Sequence, residues 1–203
     1  KPQEIEDLSF KIIEEEAGDH GFDSRQWPIV RRMIHTSADF EYIDSIRFHP
    51  EAIDNGLQAI KSGCRIFTDT NMARVGIRKM EIGSFGGRVE CLIGDERIAQ
   101  KAKADGTTRA LAAVDMAAQE LDGGIYVVGN APTALLRLIE LIRKGQAKPA
   151  LVLGFPVGFV NAAESKEELL GVDIPYITNV GRKGGSNIAA AVVNALAIMA
   201  SKG

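Results

Sequence analysis

The sequence alternates short runs rich in β-branched residues with amphipathic helical segments, and this alternation restricts the fold more than any other feature. The run at 150–153 is apolar throughout, as expected for a parallel strand that is covered on both faces. Helical patterns follow several of the runs, so the chain repeats strand, turn and helix. This order predicts an α/β fold in three layers, a mostly parallel sheet with helices on both faces. The predicted strands are 64–68, 88–93, 124–128, 150–153 and 175–180.

Apolar residues at helical spacing mark the predicted helices. In segment 132–143 they recur at i, i+3, i+4 and i+7, with Pro132 in the first turn and Gly145 just past the end. No internal repeat, low-complexity tract or linker interrupts the pattern, so we predict one domain, residues 1–203. The other predicted helices are one or two within 95–121, broken at 106–108, and a final helix at 185–200.

Composition limits the functions open to this chain. A length of 203 residues and a net charge of −3 fit one ordinary globular domain and argue against a broad electrostatic surface for nucleic acid. The longest apolar stretch, 188–200, is shorter than the ~20 residues of a membrane span, and the first residues lack the pattern of a secretory signal. Cys64 and Cys91 lie far apart in strand-like runs, which indicates free thiols. We therefore expect a cytoplasmic protein with neither nucleic-acid nor membrane partners.

Three unusual loops follow predicted strands, at 129–133, 154–166 and 181–187. In a parallel sheet these loops share the edge formed by the carboxyl ends of the strands, where ligands bind. Each loop is expected to present free backbone N–H groups at a helix N-terminus, and the last adds Arg182 and Lys183. Tight turns between strand and helix use glycine in any case, but three such loops together predict a multivalent site for phosphate or carboxylate groups.

The common catalytic and phosphate-binding motifs are missing from the sequence. G-x-x-x-x-G-K-[ST], G-x-G-x-x-G, G-x-S-x-G, H-E-x-x-H and C-x-x-C do not occur, which counts against a P-loop enzyme, a serine hydrolase and a zinc enzyme. The sequence shows no cluster of metal ligands, so we expect no resident metal. A ligand that carries several carboxylates stays compatible with the three loops.

Of the three histidines, only His35 combines an informative position with a chemical role. A helix capped by Ser24 is expected to end near His35, and a helix C-terminus favours protonated imidazole, as would a nearby Asp39. This arrangement suits a general acid near neutral pH, although the local sequence by itself favours a purely structural histidine. His20, in an acidic loop, and His49, before a proline, are expected to be solvated or capping residues.

Four segments together resemble the precorrin-8X methylmutase family: 33–35, 129–135, 154–166 and 181–186. The likeness runs from Ser9 to the final helix, and its longest continuous part is Pro-Val-Gly-Phe-Val-Asn-Ala-Ala-Glu-Ser-Lys at 156–166. The resemblance implies an isomerase of cobalamin biosynthesis. Such an enzyme moves a methyl group from C-11 to C-12 of precorrin-8X or cobalt-precorrin-8, giving hydrogenobyrinate or cobyrinate, without a cofactor or a methyl donor.

The same resemblance implies roles for particular residues. His35 falls on the family's catalytic histidine, the proton donor, while Ser9 and Arg109 fall at substrate-contacting positions. Without the resemblance, Arg109 would be taken for a solvated arginine at a helix start. The implied substrate is a tetrapyrrole with many carboxylates, and the implied assembly is a homodimer with the active site near the subunit boundary. The loop positions assigned to substrate are Asn130, Pro132, Thr133, Pro156, Gly158, Asn161, Ser165, Lys166, Arg182, Gly184, Gly185 and Ser186.

Two other functions stay open on sequence grounds. The first is a corrin-binding or corrin-handover protein that keeps the fold without the chemistry. The second is an unrelated doubly wound domain whose loops at 129–133 and 181–186 face a nucleotide or a sugar phosphate. Multiple turnover of precorrin-8X would distinguish the enzyme from both.

Overall fold

The computed structural model, which describes residues 2–202, is built around one six-stranded sheet. The strands are β1 (Ile46–Phe48), β2 (Arg65–Thr68), β3 (Arg88–Glu90), β4 (Ile125–Val128), β5 (Leu151–Gly154) and β6 (Tyr176–Asn179). They lie in the order β1-β6-β5-β4-β2-β3, in which the edge strand β1 is antiparallel to β6 and the other five are parallel. The five predicted strands are confirmed, although the one expected at 88–93 ends at Glu90, and β1 was not predicted.

Helices cover both faces of the sheet, which confirms the predicted three layers. The helix predicted at 132–143 and the break at 106–108 are both present. No helix within residues 2–202 has the combination of length and apolar character that a membrane crossing requires. The helices are α1 (Pro2–Ala17), α2 (Trp27–Ser37), α3 (Tyr42–Ser45), α4 (Ala52–Lys61), α5 (Asn71–Gly76), α6 (Lys79–Ser84), α7 (Glu96–Ala104), α8 (Arg109–Ala118), α9 (Pro132–Arg143), α10 (Ala162–Leu170) and α11 (Ser186–Lys202).

Alternate residues of the central strands feed two hydrophobic cores. Val127 and Leu153 point into the core shared with α2, α4 and α11, whereas Tyr126 and Val152 point into the core shared with α8, α9 and α10. All four side chains are buried, and burial of one such side chain is worth about 1.5–3 kcal/mol. The two cores therefore hold the strands rigidly and fix the positions of the loops at their ends.

The start of α2 differs from the prediction. The helix begins at Trp27 and not after Ser24, which lies in a turn. The carboxylate of Asp23 accepts hydrogen bonds from the backbone N–H groups of Arg25 and Gln26, both at 2.8 Å. Asp23 and not Ser24 therefore satisfies the N–H groups of the turn that leads into the helix, which starts at Trp27 and ends at Ser37.

The connections create two crevices at the carboxyl edge of the sheet. Helix α5, which follows β2, packs against α11 on the face of the sheet that α2 and α4 also cover, whereas α9, which follows the neighbouring β4, lies on the other face. In the same way α10 follows β5 onto the face covered by α9, and α11 follows β6 onto the face covered by α2. Adjacent strands whose helices leave to opposite faces define the places where open α/β sheets bind ligands. We call them the β2–β4 crevice and the β5–β6 crevice.

Candidate active site

The three loops singled out in the sequence meet at the carboxyl edge of the sheet. The backbone N–H of Gly158 donates to the carbonyl of Arg182 at 3.2 Å, and that of Gly185 donates to the carbonyl of Phe155 at 2.9 Å. A Cβ on Gly129 would lie 2.6 Å from the Cα of Ser186, so the loop at 129–133 also touches the start of α11. The loops therefore form one continuous surface.

The β2–β4 crevice is already filled by a carboxylate of the protein. Asp69 is 7% exposed and accepts hydrogen bonds from the backbone N–H groups of Gly129, Asn130 and Ala131 at 2.8, 2.9 and 2.8 Å. Burial raises the pKa of Asp69, while the three N–H groups act in the opposite direction. The expectation that these N–H groups are free for an external anion was wrong, because Asp69 takes the place that such an anion would occupy.

The β5–β6 crevice holds a buried ammonium group. Lys166 is fully buried, and its Nζ donates to the carbonyl of Lys183 at 2.5 Å and to Oδ1 of Asn179 at 3.4 Å. Burial lowers the pKa of Lys166 to about 8. Ser165 is also fully buried and donates to the carbonyl of Ala162. Neither side chain reaches the surface, so the structure does not bring these two predicted contacts together with the exposed ones.

Other predicted site residues do face solvent at this edge. Arg182 is exposed, with its guanidinium 5.5 Å from the ring centroid of Phe159. Arg109 is exposed at the start of α8, next to a groove whose lining includes Thr107, Leu111 and Thr133. The remaining predicted loop positions are Asn130, Thr133 and Asn161, which are exposed, Pro132, Gly158 and Gly184, which are half-buried, and Pro156, Gly185 and Ser186, which are buried.

His35 lies in the last turn of α2 and is exposed, next to a small cavity of about 200 Å³. The cavity lies between α2, α5 and α11, and its lining includes Thr36, Gly76 and Asn187. The ring of Phe10 is 5.0 Å from the imidazole, centroid to centroid. Because Asn187 opens the helix that follows β6, His35 borders the same edge as the loops.

The surroundings of His35 correct one expectation and place a second residue. Asp39 does not serve the imidazole; its carboxylate binds Nζ of Lys183 at 2.5 Å and accepts the N–H of Glu41, and the contact with Lys183 lowers the pKa of Asp39. Ser9 lies on α1 beside Phe10, and its hydroxyl donates to the carbonyl of Ile5 at 2.8 Å. Ser9 thus adjoins in sequence the residue that contacts His35, and its own hydroxyl is bonded within its helix.

Two residues of this region were not among the predicted site residues. Arg32 borders the His35 cavity and also a larger groove of about 570 Å³ between α1, α2, α6 and α11. It precedes His35 by three positions on α2, so helical spacing alone could have placed both on one face. Asp69 carried no comparable signal, because its partners are 60 or more positions away in the chain. Within residues 2–202, no three His, Cys, Asp or Glu side chains form a group able to hold a metal ion.

Comparisons with known proteins agree on one family. The family described as CbiC, precorrin-8X methylmutase, matches residues 4–199. The chain is 52% identical over 203 residues to the cobalt-precorrin-8 methylmutase of Priestia megaterium, covering all of this chain and 90% of that protein. It is 40% identical over 198 residues to the precorrin-8X methylmutase of Pseudomonas aeruginosa, covering 96% and 94%. A crystal structure of the precorrin-8X methylmutase of Thermus thermophilus superposes with a TM-score of 0.93 at 48% identity, covering 98% and 97% of the two chains.

Proposed function

Since the chain belongs to the precorrin-8X methylmutase family, we propose that it moves a methyl group from C-11 to C-12 of precorrin-8X or cobalt-precorrin-8. The chain is thus an isomerase of cobalamin biosynthesis, and its product is hydrogenobyrinate or cobyrinate. The observation that carries the proposal is an exposed histidine, His35, at the edge of a loop surface that also presents exposed cations. One carbon–carbon bond breaks at C-11 and one forms at C-12, so neither an oxidant nor a methyl donor is needed.

His35 acts as the proton donor in this proposal. Its position in the last turn of α2 places the imidazole beside the small cavity at the edge of the loop surface. The proton adds to the conjugated ring and so favours migration of the methyl group. An equivalent proton leaves afterwards, because an isomerisation changes no atom count. The protein otherwise orients the macrocycle and excludes water from it.

Exposed groups around the edge bind the acetate and propionate side chains of the substrate. Arg109 and Arg182 supply charge, and Asn130, Thr133 and Asn161 supply polar groups, all of them exposed. Contacts to these remote carboxylates fix the reacting carbons relative to His35. Cobalt, where the substrate contains it, arrives inside the macrocycle and is not bound by a site of the protein.

The working form in this proposal is a homodimer with the active site near the subunit boundary. The His35 cavity of about 200 Å³ is smaller than the 300–1,000 Å³ of typical ligand pockets, so a second copy would supply further walls. Exposed apolar side chains also support a partner, since water-facing patches of this kind mark interaction sites. They are Ile5, Leu8 and Ile12 on α1, Met72, Val75 and Met80 on α5 and α6, and Val157, Phe159 and Val160 in the loop after β5.

We place the protein in the cytoplasm and treat residues 1–203 as one functional domain. Both cysteines, Cys64 and Cys91, carry free thiols, which supports a reducing compartment. One sheet connects all the loops of the site, which supports a single functional unit.

The test is the conversion of purified substrate by the wild type and by His35→Ala. Wild-type protein mixed with excess precorrin-8X, or with cobalt-precorrin-8 in a parallel reaction, should develop the product spectrum beyond one equivalent. His35→Ala should lose at least about 100-fold in kcat, the lower end of general acid catalysis, while its affinity for the tetrapyrrole changes little. The matched control is His49→Ala, which alters a half-buried histidine before α4.

Each alternative has its own outcome in this experiment. A spectral change that stops at one equivalent would identify a binding or handover protein. Full turnover by His35→Ala would remove the histidine from the chemistry. Turnover of one substrate and not the other would establish whether the natural substrate contains cobalt.

A further inference from the structure

Lys166 is fully buried, unlike the residues proposed to contact the substrate, so its contacts call for a separate explanation. Its ammonium lies beneath the loop that carries Arg182, and its two hydrogen-bond acceptors are a backbone carbonyl and an amide oxygen. Burying a charge is costly unless the group is well bonded. A lysine retained in such a place indicates that its contacts hold something in position.

Lys166 and Asn179 both donate hydrogen bonds to the loop at 181–185. The carbonyl of Lys183 accepts from Nζ of Lys166 and also from Nδ2 of Asn179, at 2.9 Å. The same Nδ2 donates to the carbonyl of Val180 at 3.1 Å, so both ends of the turn are tied to β6. A single backbone carbonyl with two buried donors is a fixed point for the loop around it.

The loop at 181–185 is connected to the segment that follows the helix of His35. The side chain of Lys183 turns outward, and its Nζ binds Asp39 at 2.5 Å and Glu41 at 2.8 Å. Asp39 follows α2 by two residues, and His35 lies in the last turn of that helix. A continuous path of contacts therefore runs from Lys166 through Lys183 to the segment just after His35.

The loop at 181–185 is also connected to the loop after β5. The hydrogen bonds of Gly158 to Arg182 and of Gly185 to Phe155 join the two loops at both ends. Gly184 lies so close to the carbonyls of Phe155 and Pro156 that any side chain there would collide with backbone atoms. Movement of the loop at 181–185 would therefore also displace Phe155 and Gly158.

We propose that Lys166 is a positioning residue of the active site, which holds the loop at 181–185 from below and never touches substrate. Asn179 is its partner in this role. The inference rests on the proposed function for its catalytic consequence, but the structural part stands by itself. It replaces the expectation that Lys166 is a substrate-binding position.

The structural part is tested by amide hydrogen exchange in Lys166→Met, which keeps the length of the side chain and removes the ammonium. The N–H groups of Gly158 and Gly185 should exchange at least about 10-fold faster than in the wild type. The N–H of Asp69, bonded to the carbonyl of Val127 in the sheet, should keep its protection. Lys144→Met is the matched control, because Lys144 is exposed at the C-terminal end of α9, away from the carboxyl edge of the sheet.

A second variant covers the case in which Lys166→Met does not fold. Asn179→Ser leaves the ammonium in place but removes the amide that donates to Lys183 and Val180. It should accelerate exchange at the same two glycines by a smaller factor. Unchanged exchange in every variant that folds, or acceleration spread evenly over the sheet, would overturn the positioning role.

The catalytic part is tested by steady-state kinetics with the same variants. Lys166→Met should raise KM about 10-fold or more, because the displaced loop carries Arg182, and should lower kcat less. Lys183→Ala should mainly lower kcat, since it cuts the connection to Asp39 and leaves the Lys166 contact intact. A wild type without turnover would remove the proposed function while the exchange result stands. An active wild type with unaltered kinetics in Lys166→Met would remove the catalytic part alone.

Discussion

Among single residues, Asp69 and Lys166 decide how this edge of the sheet can be used. Both crevices at the carboxyl edge are occupied from within, one by a carboxylate and the other by an ammonium. Asp69 takes the N–H groups of Gly129, Asn130 and Ala131 in the β2–β4 crevice, which argues against the phosphate-binding alternative. In the proposed function the substrate binds above the loops, beside His35 and the exposed arginines.

The Asp69 carboxylate should be tested with two substitutions. Asp69→Ala leaves three N–H groups at the start of α9 without an acceptor and should cost about 3 kcal/mol of unfolding free energy. Asp69→Asn keeps one oxygen acceptor, which suits the N–H groups of Asn130 and Ala131, but turns its NH2 toward the N–H of Gly129, so its cost should be intermediate, about 1–2 kcal/mol. Urea unfolding at pH 7 measures both. If the two substitutions lower the free energy of unfolding equally, the charge of Asp69 and not its hydrogen-bond acceptors stabilises the protein.

Lys166 should give the stability of the protein a distinctive pH dependence. Burial lowers its pKa from 10.5 to about 8, so between these values the unfolded chain binds the proton and the folded chain does not. Stability therefore rises with pH across this window, by at most about 3 kcal/mol from this group. The measurement is urea unfolding of the wild type and Lys166→Met at pH 7.5 and pH 10. A constant difference between the two proteins would contradict the shifted pKa.

Sequence reasoning located exposed residues better than it identified the partners of buried or paired ones. The structure places His35, Arg109 and Arg182 as exposed groups around one edge, and their roles stay predictions. Lys183 was predicted to be a cation of the site and Lys166 a substrate-binding position, because residue type gives charge but not partners. Their partners, Asp39 in the loop after α2 and Asn179 in β6, lie elsewhere in the chain, so only the folded chain shows them.

Among the structural elements, the paired loops after β5 and β6 are the most tightly constrained. Two backbone hydrogen bonds join them, and they pack without side chains at Gly184. Their rigidity suits a site that must hold a large flat substrate in one orientation. Substitutions that separate the two loops should therefore affect both stability and substrate binding.

Gly184→Ala is the direct test of this packing. The added Cβ would collide with the backbone carbonyls of Phe155 and Pro156, so we expect a loss of about 2–4 kcal/mol in unfolding free energy and weaker substrate binding. Gly83→Ala is the matched control, because α6 leaves open space at that position, and it should be neutral or stabilising by up to about 1 kcal/mol. Thermal unfolding of both variants checks the pair. Equal effects would show that the contact yields easily.

The elements predicted from sequence are those with a strong periodic pattern. The strands at 124–128 and 150–153 lie in the middle of the sheet, and burial on both faces requires continuous apolar runs. The edge strand β1 has only three residues, too few for a pattern to emerge. Helices α3, α5 and α6 are likewise short, with four to six residues, and their boundaries depend on tertiary contacts.

At the level of the whole molecule, the proposed homodimer can be tested at the exposed apolar residues of α1. Leu8 is 58% exposed between Ile5 and Ile12, so Leu8→Lys should leave the fold intact. The charge should reduce dimer affinity by about 10-fold or more, since it must be desolvated at the interface. Sedimentation velocity over a concentration series measures this, with Gln119→Lys on the opposite layer as the control. A monomeric wild type would contradict the homodimer, and an unaltered Leu8→Lys dimer would exclude α1 from its interface.

The two ends of the sheet have a consequence for how copies of the chain can meet. Both edge strands, β1 and β3, are only three residues long, and each carries an arginine, Arg47 or Arg88, that faces water. Short, charged edges resist the backbone pairing that joins sheets into aggregates. Even at high concentration, this protein should therefore resist fibre formation through its sheet edges. Ordered association of copies would then use its helices and loops.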